Sequence, residues 1–237
     1  MKLAVMQPYV LPYLGYFHLL SAVDEFILFD DVQFIARGWI HRNQILVQGK
    51  PHVFTVPLQQ HSQDMPICEV RLSEFERFRE KFFKTLEAAY RKAPFYEETR
   101  ELVGRALAPG TERIAMLAER TLTLFAEHLG IEARILRASS FDLPESLKGL
   151  ERILKLCELR SARTYVNAIG GRDLYQPAEF KSRGIELRFV ESRFREYPQF
   201  SGPFVPHLSI LDVLMFNGRE GTQALLKDWH LSATAPE

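Results

Sequence analysis

Two adjacent carboxylates, Asp30 and Asp31, close an apolar run at residues 26–29, and a dense polar group with Arg37, His41, Arg42 and Asn43 follows. A carboxylate at a strand end can take a proton from an amine, bind a ribose hydroxyl or ligate a metal. Neighbouring strand residues point to opposite faces, so only one of the two enters a given pocket. The plain alternative is a pair of solvated turn residues. Imidazole titrates near neutral pH, which makes His41 a candidate base beside Asp30 and Asp31. Arg42 can grip a phosphate or carboxylate through two parallel N–H bonds. Asn43 offers both a donor and an acceptor. Trp39 reads as the apolar anchor of this loop.

Upstream, Gln7, Tyr9, Tyr13 and Tyr16 crowd the loop after the first apolar run. Tyr13-Leu14-Gly15-Tyr16 has the form Y-x-G-Y, placed where nucleotidyltransferases and class I synthetases carry H-x-G-H. In those enzymes the glycine admits a nucleotide, and the helix N-terminus favours phosphate. Tyrosine hydroxyls can hydrogen-bond but cannot supply an imidazolium charge. The competing reading makes Tyr13 and Tyr16 aromatics that secure the loop.

Further along, Lys148, Gly149 and Arg152 open a helix and form a plausible anion site, without the full phosphate-binding loop of an ATPase. Asn167, Gly170 and Gly171 stand at a strand end, where paired glycines permit close approach or positive φ. The third glycine of a dinucleotide fingerprint is missing. His207, Ser209 and Asp212 suggest a triad, but Ser209 fits a helix cap better, and no G-x-S-x-G occurs. The histidines show no metal-ligand spacing, and Cys68 and Cys157 read as two separate thiols in a reducing compartment. No metal is expected.

These groups must be positioned by a scaffold. Residues 3–6 and 26–29 read as strands joined by a helix, with further strands at 53–56, 67–72, 133–136, 164–168 and 186–190. Residues 45–58 read as a hairpin whose turn is Gln48-Gly49-Lys50-Pro51. Ser73 and Glu76 have capping-box spacing, Thr111 is set to cap a second long helix, and Phe75, Phe78, Phe82 and Leu86 form a helical stripe. Residues 208–216 and 220–229 read as closing helices, with a frayed tail from Ser232. The order predicts an α/β fold: an open, mostly parallel sheet with flanking helices and a helical insertion at 73–129, in a single domain over 1–237. Parallel sheets bind ligands beyond their carboxyl ends, so Gln7, Asp30 and Asn167 should share one edge. The formal charge is zero, from 30 basic and 30 acidic side chains, which disfavours non-specific nucleic-acid binding. No run is long and apolar enough to span a bilayer, and the expected location is the cytoplasm.

Several phrases together resemble the WbqC-like family of bacterial proteins. They are Gln7-Pro8-Tyr9, Pro12-Tyr13, Gly15-Tyr16-Phe17, the segment 24–26, Asp30-Asp31, Gly38-Trp39-Ile40-His41-Arg42-Asn43, the segment 146–153, Asn167-Ala168-Ile169-Gly170-Gly171, Tyr197-Pro198-Gln199 and the segment 208–217. His41 departs from the asparagine expected most often at its position. The resemblance implies a role in surface-polysaccharide biosynthesis: transfer of an acyl or aminoacyl group, of glycyl type, to an amine of a nucleotide-linked amino sugar. It implies a small-molecule substrate and an activated acyl donor or a nucleotide as co-reactant, with nucleic acid entering only as an aminoacyl-tRNA donor. No Ser or Cys stands where a covalent intermediate would require it, so direct attack by the amine is expected. The alternatives are a nucleotide-dependent ligase or nucleotidyltransferase built on the Y-x-G-Y loop, and a non-catalytic binding protein of the same pathway.

Overall fold

The computed structural model describes residues 1–62 and 64–233. Its six-stranded sheet runs in the order β5-β2-β1-β6-β7-β8, where β1 is Lys2–Met6, β2 Glu25–Leu28, β5 Arg134–Arg137, β6 Thr164–Ala168, β7 Glu186–Ser192 and β8 Trp229–Ala233. The first five of these strands are mutually parallel, and only β8 is antiparallel to its neighbour. A separate hairpin pairs β3, Arg42–Val47, with β4, Lys50–Thr55. Gln48 and Gly49 alone turn it, with φ of 51° and 74°; Lys50 and Pro51, expected in the turn, already pair with Val47 and Leu46 in β4.

Strand side chains alternate between two cores, as a sheet buried on both faces requires. Ala4, Phe26, Leu28, Val166 and Val190 enter the first core. They meet α1 (Leu14–Ser21), α2 (Phe75–Tyr90), α3 (Tyr96–Ala106), α4 (Ile114–Leu129) and α7 (Ile210–Leu225). Leu3, Val5, Ile27, Tyr165, Leu187 and Phe189 enter the second core, against α5 (Gly149–Leu159) and α6 (Pro177–Lys181). Right-handed crossovers account for the division. The chain builds outward through β2 and β5, then returns past β1 to β6, and the reversal sends α5 to the other face.

The stretch 73–129 is three helices, as expected, and they complete the first core. Phe82 is buried and packs on Phe54 at 4.7 Å and Phe78 at 5.4 Å. Five further local expectations are corrected. Residues 67–72 hold a single 3₁₀ turn, Ile67–Glu69, and isolated bridges in place of a strand. Ser73 does not cap α2: its N–H is held by Pro57 O at 2.9 Å, and the chain enters the helix through Glu74 at φ 43°. Thr111 does not cap α4, which starts at Ile114 after Arg113. The two closing helices are one, kinked at Gly218 where the Phe95 ring fills the space of a side chain, and Trp229 to Ser232 lie in β8 where a helix end and a fraying tail were expected. The rest of that tail, 234–237, lies outside the described residues.

Candidate functional site

The five parallel strands appear in the spatial order third, second, first, fourth, fifth. The direction reverses between β1 and β6, and a crevice opens at such a reversal beyond the carboxyl ends of the strands. Gln7 leaves β1 there, and Asn167 and Gly170 stand at the end of β6. Asp30 and Asp31 follow β2, and Ser139 follows β5.

The loop from Gln7 to Tyr13 is fixed by residues from distant segments. Leu11 adopts φ 51°, a left-handed conformation that disfavours a bulky side chain. Its carbonyl accepts Asn43 Nδ2–H at 2.8 Å and Ser209 Oγ–H at 2.7 Å. Val10 N–H donates to Ile40 O at 3.0 Å, and Ile210 N–H to Pro12 O at 2.8 Å. Tyr16 is buried and donates its hydroxyl to Gln7 O at 2.8 Å. A Cβ on Gly15 would lie 2.5 Å from the Tyr13 ring. That glycine therefore makes room for the protein's own tyrosine, and the comparison with H-x-G-H is corrected on this point. Asn43 and Tyr16 act as struts. Tyr9 and Tyr13 remain partly exposed, with hydroxyls kept protonated because burial raises their pKa.

Behind this loop lies Asp212, fully buried. It accepts Tyr90 O–H at 2.8 Å, Tyr197 O–H at 2.7 Å and Gln199 Nε2–H at 2.7 Å. Burial raises its carboxyl pKa. Ser209 caps α7, as its position suggested, through Leu211 N–H at 3.3 Å. Asp212 does more than oppose a helix dipole: it clasps the irregular segment 193–208.

The acidic pair divides its work. Asp30 is fully buried, and its two oxygens accept Ser139 N–H at 2.8 Å and Ser139 Oγ–H at 2.7 Å. Desolvation raises its pKa, and the Ser139 bonds oppose that. The Asp31 side chain is 10% exposed; one oxygen, Oδ2, is held by Arg152 Nε at 3.0 Å and by Arg152 Nη2. The other, Oδ1, is buried without a partner. Cys68 stands close enough to feel both carboxylates, and burial with these charges pushes its thiol up to about 11. It is therefore a thiol at neutral pH and a poor nucleophile.

The arginines expected as anion clamps are engaged otherwise. Arg152 donates to Asp31 and, through Nη1, to Pro144 O at 3.0 Å and Leu147 O at 3.2 Å. Arg42 donates Nε–H to Gly38 O at 2.9 Å, grips Arg37 O, and lies over the Trp39 ring at 5.3 Å. Arg42 rises from the hairpin on the first face and Arg152 from α5 on the second, so the expectation that both hold one phosphate is revised. Immediately before β3 stands His41. Phe34 packs on it at 5.4 Å, and the factors lowering its pKa are burial first, then Arg42 and His61. Its buried Nδ1 has no partner.

Lys148 is exposed at the N-terminal boundary of α5, and Gly149 follows at φ 53°. Asn167 is nearly buried and its Oδ1 accepts the Ala168 N–H at 2.8 Å. Gly170 and Gly171 lie in a 3₁₀ turn, Ile169–Leu174, without left-handed φ. A Cβ on Gly171 would meet Asn167 Nδ2 at 2.5 Å, whereas Gly170 faces open space. Ser139, Tyr90 and Gln199 escaped the sequence reading as functional candidates; only Gln199 had a signal, beside Tyr197-Pro198. A separate cleft of about 920 Å³ lies between the C-terminal ends of α1, α4 and α7, lined by Asp24, Glu132, Gln223 and Trp229. It holds none of the expected site residues, and the carboxyl edge is the better candidate because the unpartnered carboxylate oxygen lies there. Among the described residues no group of His, Cys, Asp and Glu is arranged to hold a metal, and no helix is long and apolar enough to cross a membrane.

Comparison with known proteins gives a family. The sequence profile of the WbqC-like protein family matches residues 7–224. A protein of Mycobacterium tuberculosis (strain ATCC 25618 / H37Rv), named only as uncharacterized protein Rv1507c, is 29% identical over 226 residues, spanning 94% of this chain and 97% of its own length. No solved structure matches significantly.

Proposed function

The chain belongs to the WbqC-like protein family, and from that membership we propose that its carboxyl edge binds a nucleotide-linked amino sugar and directs an acyl or aminoacyl group, of glycyl type, onto the sugar amine. The observation that carries this reading is Asp31 Oδ1, a buried acceptor with no partner, beside a second oxygen fixed by Arg152. An unpaired buried carboxylate oxygen is costly, and a donor from a ligand relieves that cost. An ammonium or hydroxyl hydrogen suits it.

In this reading Asp31 orients the amine and accepts its proton. Gln7, Tyr9 and Tyr13 orient neutral polar atoms, and Asn167 with the open backbone at Gly170 shapes the crevice floor. Lys148 and the N-terminus of α5 face the phosphates of the substrate or donor. Arg42, Asn43, Tyr16 and Arg152 hold the loops. His41, with its unpartnered Nδ1, binds at the rim. The ligase reading has less support, because the Gly15 space that a nucleotide would enter is filled by Tyr13.

The test is calorimetric titration with amino-sugar nucleotides and their N-acetylated counterparts, using wild-type protein and Asp31→Asn. Binding of the free amine that weakens roughly tenfold or more in Asp31→Asn supports the proposal. Equal affinity for amine and N-acetyl ligands, or equal binding by both proteins, refutes the role of Asp31. Mass spectrometry of the sugar after addition of activated glycyl donors separates transferase from binding protein.

A further inference from the structure

We propose that Ser139 is a nucleophile, with Asp30 as its general base, and that group transfer at this edge passes through an ester on Ser139. Ser139 is exposed at the carboxyl end of β5 and donates its hydroxyl to a carboxylate that is itself fully buried, at 2.7 Å. Both oxygens of Asp30 are turned on this one residue, since Oδ1 takes the Ser139 N–H at 2.8 Å. The bond aims the hydroxyl proton at the base in a residue that is itself exposed, the arrangement nucleophilic catalysis needs. Removal from water makes the carboxylate a stronger base than an exposed aspartate. The ionisable groups acting on Asp30 are Asp31 on its own loop, Arg137 on β5, Glu119 on α4 and Cys68 in the facing loop. Arg137 is turned toward Glu119 at 3.1 Å. A residue serving only to tie β5 to β2 would give the same hydrogen bonds but no reactivity toward electrophiles.

The step balances with a thioester as acyl donor. Ser139 Oγ attacks the carbonyl carbon, a C–O bond forms, and the hydroxyl proton passes to Asp30 Oδ2. The C–S bond breaks and the thiolate leaves with its electron pair. An amine then attacks the ester carbon, an N–C bond forms, and Ser139 Oγ departs and recovers its proton from Asp30. The surplus proton of the amine passes to Asp31, the acceptor proposed above, and from there to water. This extends the transferase reading, yet its test uses no sugar. Labelling without sugar binding would sink that reading and leave this one standing.

The experiment treats the whole protein with diisopropyl fluorophosphate and follows adduct mass and position by peptide mass spectrometry. In the expected reaction Oγ–P forms, P–F breaks, fluoride leaves and the proton goes to Asp30. The expected result is one adduct on Ser139, none in Ser139→Ala, and labelling roughly a hundredfold slower in Asp30→Asn, as for loss of a general base. Should Asp30→Asn fail to fold, the wild-type rate against pH replaces it: the rate must rise to a plateau as one carboxyl ionises. An unlabelled Ser139 in folded protein, equal rates in Asp30→Asn, or a rate with no such plateau overturns the proposal.

Discussion

Asp212→Ala removes one side chain and strands three donors. Tyr90 is fully buried, so its hydroxyl proton meets no water once the carboxylate is gone; an unsatisfied buried donor costs about 1–3 kcal/mol. Tyr197 and Gln199 are partly exposed and can turn to solvent, which limits the loss to about 1 kcal/mol each. The deleted carboxylate was itself held against desolvation, which offsets part of this. The three terms come to about 3–5 kcal/mol, and the offset brings the expected net loss to about 2–4 kcal/mol. At roughly 2–4 °C per kcal/mol for a chain of this size, the melting temperature falls by roughly 4–16 °C. Circular dichroism measures the drop. Hydrogen exchange locates it, and protection should be lost first in 193–208, because Gln199 also holds Val205 at both its N–H and its carbonyl. Asp212→Asn keeps one acceptor and should fall between wild type and Asp212→Ala. An Asp212→Ala protein within about 1 kcal/mol of wild type, or one whose 193–208 segment exchanges unchanged, would refute the clasp.

Three further outcomes are expected. Gln48→Asn should stabilise the protein by about 0.5–1 kcal/mol, because Gln48 at φ 51° precedes Gly49 in a tight hairpin turn that favours Asn-Gly, and a denaturant midpoint shift reads it. Glu25→Gln should cost about 1 kcal/mol at neutral pH, since Arg160 grips both Glu25 oxygens at 2.7 and 2.5 Å but is 29% exposed. The Arg160 bonds hold the Glu25 pKa below its ordinary 4.5, so this stability is present above that value and lost as pH falls through the lower folded one; urea melts of both proteins should converge in acid. Gly170→Ala should leave stability unchanged, since its Cβ meets open space, whereas Gly171→Ala should displace Asn167, lower the melting temperature and weaken binding at the carboxyl edge, which paired melts and titrations would show.

The sheet was legible because its strands are short apolar runs bounded by Gly, Pro and acids. Leu3, Phe26 and Tyr165 are where a both-faces-buried parallel sheet needs them. Helix starts were less legible. Ser73 has the right chemistry for a cap, but a hydrogen bond to Pro57, sixteen residues earlier in the chain, decides its place. β8 was missed because Trp229 to Ser232 carry no strong alternation and owe their conformation to pairing with β7.

The site was legible in place but not in roles. Asn43, Tyr16, Ser209 and Asp212 all drew attention for residue type and phrase, and each is spent on the protein itself: the first three around the Gln7–Tyr13 loop, the last on the segment 193–208. Such residues must be polar because backbone carbonyls and buried hydroxyls need partners, and their spacing is set by the loops they secure. Asp31 and Ser139 are different. Their environment depends on strands more than a hundred residues apart, since Asp31 meets Arg152 and Asp30 meets Ser139 only when β2 lies beside β5 and α5 crosses to the second face. No local pattern marks an oxygen left without a donor. That oxygen becomes visible only after every other polar group on the edge has been assigned its partner.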